Sequence, residues 1–149
     1  MSFFIEVTAP GLTDEHGRAI ERLCRERGAW PVKYQVQKRR RFIVFGPVVT
    51  RRRLSIPELL PDERHLLTDD AIWDAPAWDM DPEVLPALAD ALRVLGDVLT
   101  QGFDLRAMWD GSEIRQERLL SVGELADLAL RSQLNEFTRY RVWSRVTSA

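Results

Sequence analysis

The chain has 149 residues, 45% of them hydrophobic and 30% charged, with a formal net charge of -2 and an isoelectric point near 5.7. That is enough for one globular domain burying about two thirds of the surface its unfolded form exposes, and the single cysteine, Cys24, excludes an internal disulfide scaffold. No apolar run approaches the ~20 residues of a membrane helix, and the opening MSFFIEVTAPG has neither a basic leader nor a long apolar core, which points to a cytoplasmic protein without a signal peptide.

Phe3, Ile5 and Val7 alternate with Phe4, Glu6 and Thr8 at the period of a strand, closed by Pro10-Gly11. Thr13 is placed to cap a helix whose first turn carries Asp14 and Glu15. Its apolar stripe is Leu12, His16, Ala19, Ile20, Leu23 and Cys24, ending at Gly28. Tyr34 and Val36 alternate with Gln35 and Gln37, and Arg41 to Phe45 reads as an apolar run broken by Gly46-Pro47, so two strands are expected, joined by the basic tetrad Lys38 to Arg41. From about 47 to 81 periodicity fails and prolines recur at 47, 57, 61 and 76, which predicts a long irregular acidic wrap. Loops of such length in compact domains are usually functional or mobile.

Asp81 and Pro82 supply an N-cap and a first-turn proline for a helix marked by Leu85, Leu88, Leu92, Leu95 and Leu99, ending near Gly102. Phe103, Leu105, Ala107 and Trp109 alternate with Asp104, Arg106 and Met108, and Asp110-Gly111 reads as a hairpin turn into a paired strand over Glu113 to Leu120. Ser121 with Glu124 forms a capping box, flanked by Leu120 and Leu125 at the staple positions, for a third helix stopping near Asn135. Tyr140 and Val142 alternate with Arg139, Arg141 and Trp143 in a last strand. The order predicts a single α+β domain, a mixed and mostly antiparallel sheet of five to six strands with three helices. From the third predicted strand onward it reads β-α-β-β-α-β, the split βαβ arrangement.

The signatures of phosphate loops, dinucleotide sites, serine hydrolases and zinc peptidases are absent, so neither a cofactor nor a metal ion is expected. His16 falls on the apolar stripe of the first helix, where a packed, hydrogen-bonded core residue is expected, and His65 falls in the wrap as a surface histidine. Cys24 reads as a small buried hydrophobe. Asp69-Asp70 near Asp74 lacks the glycine turn and terminal glutamate of a calcium loop.

Charge is distributed unevenly. Lys33 to Arg53 holds eight basic side chains and no acid, whereas Glu58 to Glu83 holds nine acids against Arg64 alone. Lys38, Arg39, Arg40 and Arg41 with Arg51, Arg52 and Arg53 are expected at one edge of the sheet, a pattern suited to phosphates with Tyr34 and Phe42 interleaved for stacking. The acidic isoelectric point weighs against nucleic acid, and the plainer role is to solvate an exposed edge strand and block edge-to-edge pairing. In the acidic half, Trp73-Asp74 and Trp78-Asp79 form a W-D-x-x-x-W-D element. Its rings are candidate anchors for a protein partner, with Asp69 and Asp70 steering a basic surface toward them. The alternative is that both tryptophans pin the loop to the sheet.

Trp109-Asp110-Gly111, Glu117, Ser121 with Glu124-Leu125, Leu128, Asn135 and Thr138-Arg139-Tyr140-Arg141-Val142 resemble the closing pattern of small bacterial α+β proteins encoded with polymorphic toxins, the immunity-type proteins. The resemblance covers about 35 residues and implies binding and blocking of a cognate toxin, often a nuclease, through an acidic surface. The tryptophan loop suits that role; the basic tract at 38 to 53 departs from it. Protein binding without catalysis is therefore the first expectation. Nucleic-acid binding through the basic tract is the second, and a small-molecule site or enzyme centred on His65 or Glu6 the third.

Overall fold

The computed structural model describes residues 3–40, 46–57, 85–109, 113–134 and 137–143. They form β1 (Phe3–Thr8), α1 (Asp14–Arg27), β2 (Lys33–Arg40), β3 (Val48–Pro57), α2 (Leu85–Val98), β4 (Phe103–Trp109), β5 (Gln116–Leu120), α3 (Val122–Leu130) and β6 (Thr138–Val142). The strands make one six-stranded sheet in the order β2-β3-β1-β4-β6-β5, antiparallel everywhere except between β5 and β6. The α+β class expected from the element order is the class observed.

Strand directions account for the layering. β1 and β2 run parallel with β3 between them, β3 and β4 run parallel with β1 between them, and β5 and β6 are parallel neighbours. Two split βαβ units are thus present, β1-α1-β2 with β3 between its strands and β3-α2-β4 with β1 between its strands, whereas the C-terminal β5-α3-β6 is not split, its strands being neighbours. Followed along its own strand direction, each of the three crossovers steps to the same side, so the right-handed rule places all three helices on one face. Burial agrees: Ile5, Val7, Leu54, Ile56, Phe103, Leu105, Ala107, Tyr140 and Val142 are buried, whereas Glu6, Thr8, Arg53, Ser55, Asp104, Arg106, Arg139 and Arg141, which alternate with them, are not. Ile20 and Cys24 of α1, Leu88, Leu92 and Leu95 of α2, and Leu125 and Leu128 of α3 complete the core. Each leucine-sized side chain so buried contributes about 1.5 to 3 kcal/mol.

Local chemistry fixes the helix ends. Thr13 Oγ1 accepts from the His16 N–H at 3.1 Å, and Gly28 closes α1 in the left-handed conformation at φ 65°, where a side chain would be strained. Ser121 and Glu124 make the expected capping box. After α3 the chain turns through Ser132 at φ 55°, with the Gln133 N–H donating to the Leu128 carbonyl at 2.9 Å. The helix therefore stops at Leu130, short of the expected Asn135. The fully buried Trp30, which carried no sequence signal, donates its backbone N–H to the Ala87 carbonyl at 3.0 Å and ties the entry of β2 to α2.

Two expectations are corrected. β5 does not form a hairpin with β4: β6 lies between them, pairing Leu105 with Tyr140 and Phe103 with Val142. The inner position goes to the strand with an apolar face, because residues 116 to 119 of β5 are all exposed whereas Thr138, Tyr140 and Val142 are buried. The tetrad Lys38 to Arg41 is also not a turn between strands. Lys38, Arg39 and Arg40 belong to β2, and the irregular segment does not begin at 47, since 48–57 is β3. Leu54 and Ile56 are claimed by Val7 and Ile5 of β1, and that register sets Arg40 opposite Val48.

Candidate functional site

The β2–β3 hairpin is longer than the sheet it borders. β1 pairs with β3 only from Leu54 to Pro57, so six residue pairs, Gln35 with Arg53 through Arg40 with Val48, extend beyond that pairing as a two-stranded arm. At the usual rise per residue the arm is about 20 Å long. Among the described residues it has no strand on either side. Lys38, Thr50, Arg51 and Arg52 are exposed, and so are three apolar side chains, Val36 at 43%, Val48 at 55% and Val49 at 42%. The structure thus brings Lys38, Arg39 and Arg40 together with Arg51, Arg52 and Arg53 at one sheet edge, as expected, but in paired strands rather than in connections. Arg41 lies outside the described residues.

Tyr34 is not available for stacking. Its ring lies over Gly17 so closely that a Cβ there would fall 2.3 Å from two ring carbons, and its hydroxyl donates to Asp14 Oδ1. Arg52 Nε donates to the same oxygen at 3.1 Å. The Tyr34 hydrogen bond and then the Arg52 guanidinium hold the Asp14 carboxyl below its usual range. Partial burial, followed by the bond to Asp14, pushes the Tyr34 phenol up. Gly17 and Asp14 were legible only as helix interior and first-turn acid; neither carried a sign of contact with β2.

The helix-free face of the sheet continues the arm. One row crosses all six strands as Lys33, Ser55, Glu6, Arg106, Arg139 and Glu117. Beside it, Arg141 reaches Asp104 at 3.4 Å and Glu117 at 3.8 Å, and Arg139 reaches Glu117 at 3.4 Å. Asp104 and Glu117 of this face are therefore held by its own arginines, and Arg53 donates to Gln35 at 3.0 Å. Outside residues 58 to 83 the chain carries twenty basic against fourteen acidic side chains, so the low isoelectric point belongs to one segment.

Groups suited to catalysis are sparse among the described residues. Cys24 is buried, and that burial pushes its thiol up to about 11 against the opposing pull of Arg27, which leaves it protonated and inert near neutral pH. His16 is half-buried rather than part of the core. It lines a cleft of about 190 Å³ with Pro10, Gly11 and Val98 to Gly102, and its Nδ1 has no hydrogen-bond partner among the described residues, where a satisfied histidine was expected. Glu6 lies in the ladder between Ser55 and Arg106. No group of three or more metal-ligating side chains occurs among the described residues, and no described helix is long and apolar enough to cross a membrane. Trp73, Asp74, Trp78, Asp79, Asp69, Asp70 and His65 lie outside the described residues. No protein-family model, no curated protein and no solved structure matches the chain.

Proposed function

We propose that the chain is a non-enzymatic binding protein that holds an acidic protein partner on the β2–β3 arm. The observation supporting this is a ribbon with both edges open among the described residues and exposed valines on both faces, Val36 and Val48 with Lys38 and Arg52 on one and Val49 with Arg51 on the other. Apolar centres rimmed by charge suit a protein interface, and open strand edges offer backbone groups to a partner's strand. A two-stranded ribbon is marginally stable alone in water, so covering it is favourable. A polynucleotide would engage the cations but leave the valines in water. In its most concrete form the partner is a cognate toxin, the partner class the C-terminal resemblance implies, which presents an acidic surface to the arm and a separate basic one to Trp73, Asp74, Trp78 and Asp79.

Affinity capture with wild type and two arm variants, Val48→Ser/Val49→Ser and Lys38→Glu/Arg51→Glu, tests this. A partner kept by wild type and lost by both is expected. A partner kept by both variants and lost by Trp73→Ala/Trp78→Ala would move the site to the acidic segment. Retention of wild type on DNA or RNA that weakens steeply with salt and is abolished by Lys38→Glu/Arg51→Glu would replace the protein partner by nucleic acid.

A further inference from the structure

Among the described residues, side chains of the helix layer tie the arm to the body at one point. Tyr34 on β2 and Arg52 on β3 occupy alternate register pairs on one face at the root of the arm, Tyr34 opposite Leu54 and Arg52 opposite Val36 with the pair Gln35 and Arg53 between them, and both donate to one carboxylate oxygen of Asp14 at the start of α1. A single side chain of the helix layer thus grips both strands. The grip needs Gly17 one turn further on, because any larger residue would drive the Tyr34 ring away from the helix. Beyond this point Val36, Lys38, Val48 and Thr50 are all exposed.

We infer that Asp14 is the positioning residue of the arm: through Tyr34 and Arg52 it sets the direction in which the ribbon leaves the sheet, and so how far the arm is pre-organised for its partner. An arm free to swing spends only part of its time in the competent direction, and apparent affinity falls by that fraction. This effect on affinity rests on the binding role proposed above; the order of the arm in the free protein does not.

Backbone amide hydrogen exchange in the uncomplexed full chain separates the two. Asp14→Asn is expected to speed exchange at residues 48 to 52 by about three- to tenfold, with Ile5, Val7 and Leu105 unchanged, as local opening requires. Gly17→Ala, which keeps every polar group and displaces only the Tyr34 ring, should do the same. Glu15→Gln, which removes the neighbouring first-turn acid without touching the arm, should leave exchange as in wild type. Unchanged arm exchange in both Asp14→Asn and Gly17→Ala would overturn the positioning role. An equal acceleration in Glu15→Gln, or one spread evenly over β1 and β4, would overturn it too, since the effect would then belong to helix or global stability. Faster arm exchange with unaltered partner affinity would uphold the positioning role and refute the arm as the binding element.

Discussion

Gly96→Ala is a substitution for which helix propensity and packing demand opposite signs. In the interior of α2, alanine should be favoured over glycine by about 0.5 to 1 kcal/mol. Gly96, however, is buried where α2 meets the first turn of α3, and a Cβ there would lie 2.5 and 2.8 Å from the two Cγ atoms of Val122 and 3.1 Å from its Cβ. Rotating Val122 does not remove the contact to its Cβ, and β-branched side chains have few alternatives in a helix. The first turn of α3 must therefore shift against the cap formed by Ser121 and Glu124. Overpacking of this kind costs about 1 to 3 kcal/mol, which after the propensity gain leaves Gly96→Ala between neutral and about 2.5 kcal/mol destabilised, with a midpoint of about 1 kcal/mol or about 3 °C in Tm for a chain of this length. Thermal and urea unfolding of Gly96→Ala, Val122→Ala and the double variant read the coupling directly. The double variant should be more stable than the sum of the singles by about 1 kcal/mol or more. A Gly96→Ala protein about 1 kcal/mol more stable than wild type would refute the close approach of α2 and α3.

Other outcomes follow from single contacts. Ser121→Ala removes the N-cap of α3 and should lower stability by about 1 kcal/mol, whereas Glu124→Gln, which keeps a capping-box partner, should cost less; urea midpoints distinguish them. Cys24 should resist alkylation at about pH 8 in the native protein and react promptly in denaturant. Because its folded value is raised from 9.0 to about 11, the stability it supports is fully present below the lower value and is lost as pH rises toward the upper one. Asp14 has the opposite sign: its carboxyl is held low by Tyr34 and Arg52, so its contribution is present above the ordinary carboxylate value and lost as pH falls through the depressed one. Asp14→Asn should therefore flatten the acid limb of the stability profile.

Elements that advertise themselves locally were legible from sequence. The leucine spacing of α2, the caps at Thr13, Gly28 and Ser121, and the alternation in β1 and β4 are set by neighbours a few residues away, and they stand where expected. Long-range selection was not. Asp110-Gly111 suggests a hairpin, yet β6 takes the place beside β4 because Tyr140 and Val142 offer a buried face that β5 lacks. β3 was obscured by Arg51, Arg52 and Arg53, which suppress the apolar alternation that begins only at Leu54. At the candidate site the basic residues were legible as a cluster but not as an arm, since its projection depends on where β1 stops pairing. Gly17 and Asp14 gave no signal, because their meaning comes from a tyrosine on another element.

The central claim, that the arm is the surface a protein partner covers, is tested most directly by a photo-crosslinking residue at Val49 on the arm, compared with one at Asp127, exposed on α3. One discrete adduct with an acidic protein is expected from Val49, none from Asp127, and loss of the adduct when Lys38→Glu/Arg51→Glu is added. No adduct at Val49, the same adduct from both positions, or a nucleic-acid adduct would contradict it.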